Sequence, residues 1–505
     1  MKKIVLIYPK FPIKFDLNIP IGILHLGTYL RSKGFAVSII DCTVEDGYKQ
    51  RIADESKDAF CVGVSLMTAQ IPHARKIGIF LKEDLMISSP VIMGGVHPTL
   101  YPERTLQENF VDFIIAGEAE LSLLSLLQAL NEGDIEKTSS IPGVGYLDLD
   151  KRLHFNKPCG FFDYNLMPPF DYNLLSTSVI EAYKNAGTYF PLLTSRGCPY
   201  RCAFCINVVT KNTRWRALTA TRTIEEIKRI LALGMKSIWF WDENFFVGRE
   251  RVKQVLNLIE KDNIKFSAYA AGRADYIRGD YLNHNYLMRL KKCGFQRIGF
   301  GFESGSSKTL EYLQKDITVS QIEKTVQECS KAGIRVSASF MIGLPGEKED
   351  DMRQTISLIG KIASICRNIG INGPQLYRPY PGSNIYNDCI KAGWTEPNNF
   401  EEWNKRIEED FYSTPNPYKY PWVKNPAFVN FAYFYAYTIS IRTSKLIRMF
   451  NEYCQMTKQK KYFFILGVVG IAFLSLLGKA RYRYGFYRFL LEKKIFYKYH
   501  PNMDY

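Results

Sequence analysis

Short apolar runs alternate with amphipathic stretches along most of this chain, and that alternation restricts the fold more than any other feature. In the span 1–147, Lys3–Tyr8, Ala36–Ile40, Cys61–Ser65, Pro90–Met93 and Phe113–Ile115 read as strands. Ile21–Lys33 and Ala74–Asp84 carry helical periodicity. Strands that alternate with helices predict an open, mostly parallel α/β sheet covered by helices, with ligands bound beyond the carboxyl ends of its strands. Residues 148–189 interrupt the pattern: Pro158, the pair Pro168-Pro169 and many aromatics predict an ordered connector. Alternation resumes at Phe190. Strands are expected at Phe190–Ser195, Ser237–Trp241, Lys265–Ala270, Arg297–Phe302, Arg335–Ile342 and Gly373–Arg378, with helices such as Ile224–Leu233 and Val319–Ala332 between them. Over 190–390 this predicts a partial (β/α)6 barrel with its chemistry at the strand C-terminal ends. The span 391–505 is expected to be mainly helical, with an aromatic stretch from Phe428 to Gln455 and an uncharged run at 462–478.

At 505 residues the chain is long enough for two or three domains. With 46% hydrophobic and 23% charged residues, a predominantly disordered chain is excluded. The net charge of +16 suits a membrane surface, nucleic acid or an acidic ligand, and does not choose among them. Eleven cysteines form no paired framework, and Met1 to Pro9 reads as a buried strand, not a leader. A reducing cytoplasm is therefore expected, where thiols are available as metal ligands.

The most informative segment is Thr194-Ser195-Arg196-Gly197-Cys198-Pro199-Tyr200-Arg201-Cys202-Ala203-Phe204-Cys205. It follows a strand and lies in a turn, where three sulfurs can converge. Three thiolates can hold three irons of a [4Fe–4S] cluster and leave the fourth open. A zinc site would want a fourth Cys or His close by, and none is near in sequence.

Cysteines spaced by three and then two residues, with Phe204 before the last, resemble the radical S-adenosylmethionine (radical SAM) superfamily, from Phe190 to about Tyr386. The resemblance implies that Cys198, Cys202 and Cys205 carry the cluster. The open iron would then bind the amino and carboxylate groups of S-adenosylmethionine, whose cleavage yields a 5′-deoxyadenosyl radical. It implies ligand contacts from Phe204 and Asp242, and from Glu303 to the ammonium and Ser304 to a hydroxyl. Gly343, in Gly343-Leu344-Pro345-Gly346-Glu347, resembles the adenine-side loop. Arg273 and Arg335 are candidates for the methionine carboxylate. A helix-capping Glu303, a plain turn at Gly343 and ordinary salt-bridging arginines are the competing readings.

A small Rossmann-like domain before such a barrel resembles the cobalamin-binding branch of the superfamily. That branch includes the anaerobic magnesium-protoporphyrin monomethyl ester cyclase and the class B methylases. Ser65 and Thr68, Gly94, Gly95 and His97, and Gly117 and Glu118 fall in its loops, where small residues let a flat corrin approach the backbone. One departure stands out. None of the six histidines has Asp two residues before it, so the Asp-x-His-x-x-Gly lower ligand to cobalt is absent. His97 is a candidate cobalt ligand outside that motif, and is expected rather to cap the strand end or contact a phosphate or amide.

The run 462–478 is at the lower limit of the roughly 17–25 residues of a spanning helix, and fits equally a buried helix. The Tyr, Phe, Arg and Lys residues to 505 favour a membrane interface over single-stranded nucleic acid. The resemblance implies cobalamin-dependent methylation of an unactivated carbon in a hydrophobic small molecule, with an electron donor such as flavodoxin or ferredoxin. The alternatives are radical cyclisation or rearrangement without methyl transfer, and a non-catalytic cobalamin or redox sensor. The sensor lacks any recognisable output module.

Overall fold

The computed structural model describes residues 1–11, 19–134, 136–366, 369–411, 416–440, 473 and 476–487. The chain divides into two compact units. The first comprises Met1–Pro199, Val209–Ala268 and Thr395–Thr414; the second comprises Tyr200–Val208, Tyr269–Trp394 and Pro415–Tyr505.

In the first unit, strands β1 (Lys3–Tyr8), β2 (Ala36–Asp41), β3 (Cys61–Ser65), β4 (Val91–Gly94), β5 (Phe113–Ile115), β6 (Val144–Leu147) and β7 (Leu153–Phe155) form one sheet. Its order is β2-β1-β3-β4-β5-β6-β7. The first five strands run parallel, and β6 and β7 add an antiparallel hairpin. Ile4, Val5, Leu6 and Ile7 of β1 are all buried, because helices cover both faces. A strand sandwiched this way reads as a continuous apolar run and not as an alternating one. Each such side chain contributes about 1.5–3 kcal/mol, which anchors β1 inside the sheet, one strand in from its β2 edge. β1 has β2 on one side and β3 on the other. The winding direction reverses there, and a crevice opens beyond the strand ends at such a point. Helix Ile21–Ser32 follows β1. The helix expected at Ala74–Asp84 starts earlier, at Ile71, with Pro72 in its first turn, and its last turn, Phe80–Asp84, is a π-helix.

Also in this unit, β8 (Phe190–Leu192) pairs in parallel with the later strand Ser237–Phe240. The strand expected at Phe190–Ser195 is broken after Leu192, because the N–H groups of Thr194 and Ser195 are taken by the Asp242 carboxylate. The chain then re-forms as β9 (Ser195–Arg196), antiparallel to β10 (Arg216–Ala217), so that Ser237–Phe240 is β11. Within the connector 148–189, Thr177–Ala186 is a helix closed by Gly187 in the left-handed conformation.

The strand β12 (Ser267–Gly272) leads into the second unit. There β13 (Phe295–Glu303), β14 (Arg335–Ile342) and β15 (Gly370–Leu376) pair in parallel. Helix Val319–Lys331 opens with a capping box between Thr318 and Gln321. The C-terminal part is helical, and Pro426–Ser440 packs within an aromatic core with Tyr377, Trp394, Tyr420 and Trp422. No closed barrel is formed among the described residues. No described helix is long and apolar enough to cross a membrane. The uncharged run 462–478 lies outside the described residues apart from Phe473 and 476–478.

Candidate functional site

In the first unit a cavity of ≈ 300 Å³ opens beyond the C-terminal ends of β1, β3, β4 and β5, at the reversal point of the sheet. Gly22, Gly63, Gly94, Gly95 and Gly117 line it, together with Ser65 and Glu118. Two of these glycines are required by the backbone. Gly95 has φ +97°, and a Cβ there would stand 2.7 Å from the Leu66 carbonyl oxygen. Gly117 has φ +82°. Gly22 has no atom within 4 Å of the place a Cβ would take, so its bareness serves the space itself. Five of the seven residues singled out for cobalamin therefore share one cavity. Thr68 and His97 lie off it. His97 is fully buried, hydrogen-bonded through Nδ1 to Thr68 Oγ1 at 3.1 Å and packed against the rings of Phe400 and Trp403. Burial, assisted by Arg104, lowers its pKa to about 3, so the ring stays neutral.

Two arginines that the sequence did not single out hold the acidic side chains here: Arg196, which lines the cavity, and Arg216, which does not. Glu118 accepts two hydrogen bonds from Arg216, at 2.8 and 2.9 Å, and one from the Phe162 N–H at 2.8 Å. Burial alone would raise its carboxyl. Arg216 and Arg196 outweigh that and hold it below the ordinary range. Arg196 pairs with Glu120 at 2.7 Å and lies over the Tyr164 ring. No local spacing announces such pairs, since Glu118 and Arg216 are 98 residues apart.

Cys198 belongs to this unit, and its N–H donates to the Asn212 carbonyl at 3.2 Å. Gly197 before it has φ +84°, and a Cβ would come within 2.4 Å of the Arg214 carbonyl oxygen. Asp242 is buried at the end of β11 and ties down the preceding strand. Besides the two N–H groups, it accepts from the Thr194 hydroxyl at 2.7 Å. Glu243 faces the cavity, where burial among its neighbours raises its carboxyl to about 7 although water still reaches it.

In the second unit, Cys202 is buried and Cys205 half-buried, and the Cys205 N–H turns back to the Cys202 carbonyl at 3.0 Å. Arg273 directs Nη1 at Cys202 Sγ (3.7 Å), Nη2 at the Lys315 carbonyl (2.5 Å) and Nε at Asp275 (2.9 Å), and stacks on Tyr200. Glu303 ends β13 in the left-handed region, at φ +65°, and its carboxylate meets Lys315 Nζ at 3.0 Å. Lys315 also lies over the Phe204 ring. Ser304 is fully buried, with its hydroxyl on Thr355 Oγ1 at 2.9 Å. Gly343, at φ +76°, donates its N–H to Glu347 at 2.7 Å and accepts from the Trp422 indole at 2.8 Å. Glu347 is pushed up to about 8 by burial. Arg335 stands at the opposite, N-terminal end of β14 and is exposed, so it is not brought together with Glu303 and Gly343.

No group of three or more His, Cys, Asp or Glu side chains is drawn together as a single-ion site among the described residues. The thiol set of the motif suits an iron–sulfur cluster instead. No described cysteine is in a disulfide, and Cys202 already takes the kind of donor that cluster sulfurs accept. The glycine-lined cavity likewise suits a flat, close-packed cofactor.

Residues 192–359 match the radical SAM superfamily, and 16–127 match the B12 binding domain. An uncharacterised methyltransferase of Pyrococcus horikoshii is 30% identical over 381 residues, covering 74% of this chain and 78% of that protein. This chain belongs to the radical SAM superfamily, in its cobalamin-binding branch. The radical SAM enzyme is also similar to the anaerobic magnesium-protoporphyrin IX monomethyl ester cyclase of Rubrivivax gelatinosus, at 22% identity over 76% of this chain and 68% of that one. Its fold resembles that of the radical SAM methyltransferase TsrM from Kitasatospora setae, with TM-score 0.65, 19% identity and coverage of 79% and 78%. Its cofactors are a [4Fe–4S] cluster, S-adenosylmethionine and cobalamin.

Proposed function

We propose that this radical SAM enzyme methylates an unactivated carbon of a hydrophobic small molecule, with the cluster held by Cys198, Cys202 and Cys205. When bound, the cluster supplies the electron that breaks the sulfonium bond and cobalamin carries the methyl group. Glu303 accepts hydrogen bonds from the ligand ammonium, and Ser304 stiffens the turn that aims it. The loop at Gly343 presents backbone to the adenine side. Gly94, Gly95 and Gly117 let cobalamin seat against the sheet edge, and Ser65 and Glu118 stand at its rim. With no histidine in the Asp-x-His-x-x-Gly setting, the cofactor is held without that lower ligand.

The reading is carried by the glycine-lined cavity at the sheet's reversal point, in a chain that also bears the three-thiol motif. A hydrophobic substrate is supported by Phe473, Leu476, Tyr484 and Phe486, which are exposed near the basic residues Lys479 and Arg483. Such a face also suits contact with a membrane interface. The electron comes from a small donor such as flavodoxin or ferredoxin.

Anaerobic reconstitution tests this. Cobalamin should co-purify, and methyl-labelled S-adenosylmethionine should label the product, with two molecules consumed per methyl group transferred. Label-free product at one molecule or fewer would instead indicate cyclisation or rearrangement. Changing Cys198, Cys202 and Cys205 together to Ala should abolish both the brown chromophore and 5′-deoxyadenosine. Persistence of 5′-deoxyadenosine in that variant refutes the cluster assignment.

A further inference from the structure

We infer that Arg297 and Arg335, at the N-terminal ends of β13 and β14, form an oxyanion site that holds the acidic end of an elongated, otherwise apolar substrate. The inference rests on the proposed reading of the substrate as a hydrophobic small molecule, and adds a charged end to that molecule.

β14 reads Arg-Val-Ser-Ala-Ser-Phe-Met-Ile. Val336, Ala338, Phe340 and Ile342 are buried, whereas Ser337, Ser339 and Met341 are half-buried and Arg335 is exposed. A parallel strand covered on both faces is apolar along its whole length, as β1 is. β14 alternates instead, so one face of this sheet is sealed and the other is wet. The parallel register sets Arg297 beside Arg335, Gly299 beside Ser337 and Gly301 beside Ser339. The wet face is therefore built of small and polar residues, with two guanidinium groups at one end.

The two arginines converge on one spot. Gly370 of β15 lies beside Ser337 in the register. A Cβ on Gly370 would stand 3.8 Å from Arg335 Nη2 and 3.9 Å from Arg297 Nη2. The glycine thus leaves open the space that both cations flank. Arg297 is held ready beside it. Its guanidinium lies over the Tyr269 ring, 4.6 Å from the centroid, and Nη2 donates to Ser337 Oγ at 2.7 Å. That hydroxyl accepts from the arginine and keeps its own proton for another acceptor. Arg297 Nε is buried with no hydrogen-bond partner. Among the described residues the partners of Arg297 are thus a hydroxyl and a ring, not a carboxylate.

Charge supplies the rest. Like charges side by side on neighbouring strands repel. An oxyanion set between them offsets that repulsion, and a carboxylate or phosphate matches the planar fork of each guanidinium. Ser337 adds a neutral donor. The strands then fix the shape of the ligand. β14 runs from Arg335 to Ile342, roughly 20–25 Å at about 3.3 Å per residue. The Glu303 and Gly343 loops lie at the opposite, C-terminal ends of β13 and β14. A molecule gripped at Arg297 and altered beyond those ends must be long. Its middle passes Tyr269 and Met341, whose side chains offer apolar contact.

Equilibrium dialysis of the full, cluster-loaded chain tests this with three probes: octyl phosphate, octanoate and inorganic phosphate. At least one octyl probe should bind saturably and more tightly than inorganic phosphate, and the tighter of the two identifies the end group. Arg297→Gln should weaken that probe by roughly 10- to 100-fold, the range for losing a charged hydrogen-bond partner. Three results overturn the inference: no saturable binding, octyl binding that Arg297→Gln leaves unchanged, or octyl probes that bind no better than inorganic phosphate, which marks a site for a free anion. Gly370→Asp supplies a carboxylate from the protein itself. It should abolish probe binding while melting no lower than the parent by circular dichroism, and a folded Gly370→Asp protein that binds like the parent also overturns the inference. No turnover is involved, so the two readings fail separately. Lost methyl labelling with these results intact sinks methylation alone, and the reverse sinks the oxyanion site alone.

Discussion

Gly94 and Gly95 are neighbours in sequence, yet a methyl group added to each should do opposite things. At Gly95 the backbone has φ +97° and ψ −163°, a region that is essentially glycine-only. A Cβ there would also stand 2.7 Å from the Leu66 carbonyl oxygen and 3.0 Å from its nitrogen. Backbone strain of about 1–3 kcal/mol and overpacking of about 1–3 kcal/mol put Gly95→Ala roughly 2–6 kcal/mol below the parent. For a unit of this size that lowers the melting temperature by about 5–15 °C. At Gly94, φ is ordinary and a Cβ would meet only the Ile115 carbonyl oxygen at 3.7 Å, a normal contact. Gly94→Ala should therefore melt within a few degrees of the parent. Its methyl group, however, enters the space where cobalamin would seat. Overpacking of about 1–3 kcal/mol there corresponds to roughly 5- to 150-fold weaker cobalamin binding. Thermal unfolding of the cofactor-free protein by circular dichroism reads the first effect. Cobalamin retained through gel filtration, measured by absorbance, reads the second. A Gly94→Ala protein that holds cobalamin like the parent, or a Gly95→Ala protein that melts like it, refutes the reasoning.

Arg216→Ala should destabilise the first unit by about 1–3 kcal/mol, because it strips half-buried Glu118 of its two-point partner. Adding Glu118→Gln should recover part of that loss in urea unfolding, and strict additivity would count against a coupled pair. Asp41 is 2% exposed, and burial raises its pKa from 3.8 to about 6. A carboxyl raised on folding favours the folded state at low pH, and that advantage is lost as pH rises from about 4 to 6. Asp41→Asn should thus gain up to about 3 kcal/mol at pH 8 and nothing near pH 4, read from urea midpoints; an equal gain at both pH values would be inconsistent. The full chain should sediment with anionic lipid vesicles, and removal of 462–505 should abolish this; unchanged sedimentation would remove the interface from consideration.

Much of the scaffold is legible from the sequence because burial on both faces leaves an unmistakable trace. Lys3–Tyr8, Cys61–Ser65, Phe113–Ile115 and Arg335–Ile342 are strands over the residues their apolar runs mark out. The break after Leu192 is not legible, since it depends on a carboxylate almost fifty residues away that captures two backbone N–H groups. The helix Thr177–Ala186 is hidden among prolines and aromatics, although Gly187 is a stop signal that could have revealed it. The glycines of the cavity stand out because turns after strands are where bare backbone is useful. Lys315 does not stand out, because a lone lysine after a helix looks like any solvated one. Only the fold shows it buried against Glu303.

The β6–β7 hairpin has a practical consequence for dissecting this enzyme. Residues 144–155 form the closing margin of the first sheet: β6 pairs with the three-residue β5, and β7 pairs with β6. Asn156 fastens the margin, with its side chain donating to the Thr138 and Ile141 carbonyls. A fragment ending at Leu147 would leave a row of unsatisfied amides and carbonyls along β6, ready to zip onto a second copy. Fragments carried through Asn156 would keep β6 paired, so a cut for the sheet lies nine residues beyond the end of its sixth strand, and Phe400, Trp403 and Ile407 must be supplied as well to close the core of that unit.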